Sequence, residues 1–169
     1  IHTALAQGLG SGQEQHLHER IAEELTALGS TDAATLGEIA RHRLASRDED
    51  LARTAALRAG DAALALLAPH EAARWYREAL ARGPEARTRE RCDVLIRLGE
   101  AERRSGTDSF EVRLVEAGSL ALELRDPDLA ARAALANHRG MHSRTGFVDD
   151  QPLELLQLAL ALQGDLDPG

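Results

Sequence analysis

Apolar residues recur along this chain at helical intervals of three and four, punctuated by glycine and proline, and the pattern predicts helices almost throughout. Leu17, Ile21, Ala22, Leu25 and Leu28 form one stripe, over about His16 to Leu28, which Gly29 ends. Ser30 or Thr31 is the expected cap of a second helix, Ala33 to Ala45, with Leu36, Ile39, Ala40 and Leu44 as its stripe. Further helices are predicted over about 48–67, over 69–82 with Pro69 in the first turn, and over 85–104, stopping at Gly106. Asp108 with Glu111 has the spacing of a capping box for a sixth helix ending near Leu124. Asp126-Pro127 opens a seventh, to about Arg139, and Pro152 an eighth, through Leu162. Its apolar positions cover nearly the whole circumference, so the helix is expected to be either deeply packed or partly exposed for a partner or, the favoured reading, for a following repeat. Gly8, Gly10 and Gly12 leave residues 1–14 at most one short helix and a turn, and 140–150 lose periodicity around Gly140 and Gly146.

Small and large residues fall in a repeating order within these helices. Ala56, Ala59, Gly60 and Ala63 precede Ala72, Tyr76, Ala79 and Pro84, and Leu95, Leu98 and Gly99 begin the order again. The pattern resembles the tetratricopeptide (TPR) repeat, two antiparallel helices with small residues where backbones approach and a large wedge beside them. Gly60, Ala72 and Ala79 are the expected close-approach positions, Tyr76 the wedge and Pro84 the stop. The clearest repeat spans 53–84, a second 92–124 and a degenerate third 126–163, within an all-α, TPR-like helical-repeat solenoid over 15–169. Glu102 stands where the second repeat asks for an aromatic, and no Ala-x3-aromatic follows. With a period of about 34 residues, about five are inserted around Pro84 to Arg91, which predicts a longer first helix in the second repeat.

Composition narrows the function classes. A formal charge of −8 argues against direct nucleic-acid binding, since phosphate contacts need a basic face. All 20 basic side chains other than histidine are arginine. One cysteine, Cys92, precludes an intrachain disulfide and points to a reducing, cytoplasmic compartment. No apolar run approaches the roughly 20 residues of a membrane span, and no leader pattern is present. The chain opens at Ile1, which suggests an excised piece of a longer protein.

No nucleophile with a neighbouring base and no phosphate-binding G-x-x-x-x-G-K-[ST] loop is present, so no catalytic residue and no cofactor is expected. His16 with His18, and His138 with His142, are the close histidine pairs; neither has an evident third ligand, so no metal site is predicted. Arg87, Arg89, Glu90 and Arg91 form a charged run expected to be a salt-bridged exposed face. In TPR proteins the first helix of each pair lines a groove, and the register assigns that role to Thr54, Leu57, Asp61 and Leu64, then to Asp93, Ile96, Glu100 and Arg103. Such a mixed, net acidic surface suits a basic and apolar peptide or protein segment.

The segments LHERIAEEL, EIARHRLAS and ALLAPHEAARWYREAL resemble the region just after the ATPase module in large ATP-binding LuxR-type bacterial transcriptional regulators. IHTALAQGLG looks like the tail of that module's winged-helix part, over residues 1–14; LRDPDLAARAALA and DQPLELLQLALALQGD resemble the continuing TPR-like region. The resemblance implies a non-catalytic sensor arm that receives a protein, a peptide or a small inducer and contacts neighbouring domains of its parent chain. Similar arrangements precede cyclase or kinase domains, and a freestanding TPR adaptor is the alternative.

Overall fold

A computed structural model describes residues 10–83, 86–137 and 150–166, and among these there is no strand. They form eight helices: α1 (Ser11–Ala27), α2 (Ala33–Leu44), α3 (Glu49–Ala65), α4 (Pro69–Arg82), α5 (Arg89–Arg104), α6 (Phe110–Glu123), α7 (Pro127–Asn137) and α8 (Asp150–Leu166). The fold is all-α, and neighbouring helices pack in the manner of a helical repeat. The chain divides into two compact units, Ile1–Gly83 and Pro84–Gly169. Pro84, Gly140, Gly146, His138, His142 and residues 1–9 lie outside the described residues.

In the first unit α3 packs against both α2 and α4. An alanine face on α3 (Ala52, Ala55, Ala56, Ala59, Ala63) lets α4 approach closely, and α4 fills the contact with Ala72, Trp75, Tyr76 and Ala79, all buried. Gly60 lies at the crossing: a Cβ there would stand 2.6 Å from Tyr76 Cε1 and 2.8 Å from Cδ1. Arg82 on α4 pairs with Glu49 at the start of α3, at 3.5 Å, so the two helices run antiparallel. Trp75 carries a core role that the repeat pattern does not assign; it is 1% exposed, and Gly37 of α2 comes within 3.7 Å of its ring, measured from the position of a Cβ.

In the second unit α5 packs on α6 and α7, and α7 in turn on α6 and α8. Leu95, Leu98 and Gly99 are buried as the repeat asks. A Cβ on Gly99 would stand 2.6 Å from Leu114 Cδ2. Leu114 therefore does for the second pair what Tyr76 does for the first, with Ala117 buried behind it and Phe110 where the first repeat has alanine. Gly118 repeats the device against Leu155 of α8.

Four sequence expectations are corrected. The extra residues around Pro84 to Arg91 do not lengthen a helix: α5 has 16 residues against 17 in α3, and 86–88 are non-helical, with Thr88 accepting from the Arg91 N–H at 3.2 Å. The cap of α2 is Asp32 rather than Ser30 or Thr31; its carboxylate accepts from the Thr35 N–H at 2.9 Å. Ser30 instead donates to that carboxylate and, with the Thr35 N–H, holds its pKa down at about 2. Asp108 and Glu111 do not form the expected cap, because α6 starts at Phe110 and its cap position is Ser109. Residues 11–14, expected to end in a flexible turn, are instead the start of α1.

The last helix is partly exposed, one of the two outcomes its apolar circumference allows. Ala159 is buried and Leu155, Leu156 and Leu162 are half-buried, but Leu153, Leu158 and Leu160 are 52%, 51% and 67% exposed. Among the described residues α8 is covered from the α6 and α7 side.

Three turns share one hydrogen-bond pattern. After α3, Ala68 N–H donates to Ala63 O and Leu67 N–H to Leu64 O; Thr107 and Gly106 do the same after α5, and Asp126 and Arg125 after α6. This pairing needs a residue at positive φ just past the helix. Gly106 supplies it at 73°, whereas Leu67 and Arg125 adopt 56° and 54° with side chains attached.

Candidate binding faces

The first four expected groove residues share one side of α3. Thr54 and Asp61 are exposed, and Leu57 and Leu64 are half-buried. Asp61 is also structural, since Tyr76 Oη donates to its Oδ1 at 2.8 Å and so ties the wedge to the face. This face presents a hydroxyl, a carboxylate and two aliphatic edges.

The other four lie on α5 in the second unit. Ile96 is corrected: it is 0% exposed and belongs to the core. Asp93 is half-buried between two arginines, Arg97 Nε at 2.7 Å and Arg132 Nη1 at 2.8 Å, which neutralise its charge locally. Glu100 and Arg103 are half-buried. The register carried over from α3 placed Ile96 outward, where its counterpart Leu57 is half-buried, but in the second unit this position is part of the core.

The histidines separate. His16 faces Glu19 at 3.7 Å, while His18 turns to α2, where its Nδ1 lies 2.7 Å from His42 Nδ1. The two rings, 5.0 Å apart at their centroids, share a hydrogen bond that requires one nitrogen to be protonated and the other not. Burial, and then the neighbouring His18, lower the His42 pKa from its ordinary value. No group of three or more metal-ligating side chains occurs among the described residues.

Cys92 is buried on α5 and its thiol donates to Ala117 O at 3.2 Å. Burial, reinforced by Asp126 and Asp93, pushes the thiol up to about 11, so its nucleophilic thiolate is suppressed. The charged run near Arg87 is salt-bridged as expected: Arg87 pairs with Glu123, Arg89 with Asp126 and Arg91 with Glu116. Asp126 is 3% exposed and also caps α7, accepting from the Leu129 N–H. The charged hollow around Arg87, Arg91, Glu116 and Glu123 is thus lined by ions paired with one another.

A different cleft, about 160 Å3, opens within the second unit between α6, α7 and α8. Its walls are Leu114, Val115, Leu122, Leu155 and Leu158, and its polar groups are Ser119, Asn137 and Glu154. Asn137 is 7% exposed, and its Oδ1 is buried without a hydrogen-bond partner. The one sequence signal for this cleft is an asparagine closing the otherwise apolar face of Leu129, Ala130, Ala133 and Ala136. No helix is long and apolar enough to cross a membrane among the described residues. No protein-family model matches the chain, and no curated protein or solved structure matches it.

Proposed function

We propose that the chain is a non-catalytic, TPR-like sensor and protein-interaction segment of a larger cytoplasmic, ATP-dependent regulator of the LuxR type. The observation that carries the reading is the recurrence of one crossing device, Gly60 against Tyr76 and Gly99 against Leu114, which builds helix pairs that stack and leave faces for a partner. The family-like segments supply the LuxR assignment, and the acidic balance favours a basic and apolar peptide over nucleic acid. The phosphate-binding loop that such a regulator needs would then lie elsewhere in the parent chain.

Two measurements test this. The complete reading frame should encode an upstream phosphate-binding loop and a downstream output domain; a frame without the loop gives a freestanding adaptor instead. The purified segment should leave ATP intact over hours, and turnover sensitive to substitutions within it would refute the reading.

A further inference from the structure

We propose that the contact between His18 and His42 is an acid-sensitive latch, which docks α1 on α2 at neutral pH and releases it below about pH 6. Of the helices in the first unit α1 is the least secured. Among the described residues it packs appreciably on α2 alone, whereas α2 also has α3, and α3 has α4. Ala22 is its one buried residue; Ile21 and Leu25 are half-buried and Leu17 is exposed. With so thin an apolar contact, one polar pair decides whether the helix stays down.

The pair tolerates one ionising proton and refuses a second. The two Nδ1 atoms stand 2.7 Å apart with ring centroids at 5.0 Å, and both residues are half-buried. Two neutral imidazoles share this bond, one N–H donating to the other's lone pair; an imidazolium beside a neutral ring shares it equally well. A further proton leaves two N–H donors face to face without an acceptor, and two positive rings in contact. Once α1 is released, both rings enter water and each takes a proton at the ordinary histidine value of 6.5. Acid therefore favours the released helix, which binds more protons than the docked one.

The surrounding charges do not supply the missing acceptor. Those acting on His42 are His18 from α1 and, on α2 itself, Glu38, which favours its charged form, and Arg41, which opposes it; the set includes no group of α3. Glu38 and Arg41 bind each other at 2.6 Å, so their opposed effects on His42 largely offset and His18 decides. Burial, and then His18, hold the His42 pKa below its ordinary value, as refusal of a second proton requires. On α1, Glu14 lies one turn before His18 and is exposed, and Glu19 faces His16 at 3.7 Å. Arg47 also reaches across to α1, to the Gln15 amide and not to the histidines.

The inference goes beyond the sensor reading, adding protons to what the segment responds to. Failure of the latch leaves that reading intact, since it stands on the parent reading frame.

The test follows amide protection of the intact chain by NMR from pH 7.5 to 5, corrected for the intrinsic rate of exchange. Protection of α1 should fall about tenfold per pH unit between about pH 6 and 5, the slope for one extra proton on the released form. Protection of α3 and α4 around Gly60 and Tyr76 should change less than about twofold, because that pair stays closed. His18→Gln, whose amide oxygen accepts from a protonated His42, should keep α1 docked at pH 5. His42→Gln gives the same result from the other side, so a folding defect in one variant leaves the other decisive. His16→Gln, at an exposed ring outside the pair, should keep the wild-type profile. An α1 unprotected at pH 7.5, protection that is flat with pH, or loss spread equally over α1 to α4 would each overturn the latch. So would a profile that survives both pair variants or disappears with His16→Gln.

Discussion

Gly60→Ala isolates the crossing between α3 and α4. In an unhindered helix interior this change stabilises by about 1 kcal/mol, because alanine is the better helix former. Here the new methyl carbon would sit 2.6, 2.8 and 3.0 Å from Cε1, Cδ1 and Cζ of Tyr76, about 1 Å inside ordinary carbon contact. The ring has little room to yield, being 1% exposed and tied through its hydroxyl to Asp61. Overpacking of this kind costs about 1 to 3 kcal/mol, so the net effect is a loss of about 0 to 2 kcal/mol in place of a gain. Trp75, the single tryptophan, lies beside the wedge at 1% exposure, and its fluorescence during urea unfolding reports on the first unit. The second leg of the experiment removes the ring. Tyr76→Ala should itself cost about 3 to 5 kcal/mol, and in that background, kept folded with an osmolyte, Gly60→Ala should recover its gain of about 1 kcal/mol. A midpoint that rises by the same amount in both backgrounds would refute the close-approach argument.

In the second unit Leu114→Ala should destabilise by about 2 to 5 kcal/mol, read as lost amide protection across α5 and α6; protection unchanged within error would remove Leu114 as the wedge. The histidine pair gives a pH dependence whose sign follows from His42. Its folded pKa is lowered from 6.5, so the stability it contributes is fully present above 6.5 and is lost as pH falls through the lowered folded value. Urea midpoints should therefore drop on acidification below 6.5, and His42→Gln should flatten that dependence; an unchanged slope would discard the pair. Cys92, with its thiol pushed up to about 11, should resist iodoacetamide at pH 8 until the second unit opens. Labelling as fast as that of a free thiol would contradict its burial. Exchanging Leu67 or Arg125 for glycine should stabilise by about 1 kcal/mol, since both hold a left-handed backbone with a side chain present.

Several helix positions were legible because they are bounded by residues with one physical meaning, such as Pro69 in a first turn and Gly29 and Gly106 at positive φ. Partners across a crossing were less so. Leu114 escaped the repeat pattern because that pattern asks for an aromatic, while the steric requirement at Gly99 is met by a branched aliphatic chain. Ile96 was misplaced because a one-helix register does not say how deeply each position is covered: its counterpart Leu57 on α3 is half-buried, whereas Ile96 is fully buried. Caps failed by one or two residues at Asp32 and Ser109, where several polar side chains in a row compete for the same amide. Asn137 was legible only as a polar break in an apolar helix face; that its Oδ1 meets no donor depends on the surrounding fold and not on the local sequence.

Leu67 and Arg125 carry a further consequence. A bend that its own residue resists is imposed from outside, by the helices on either side of it, so these two corners follow the packing and do not direct it. Mutational drift at such corners should alter how quickly a helix pair peels apart while leaving its resting geometry intact, which makes them natural places to tune the lifetime of a fold without redrawing it.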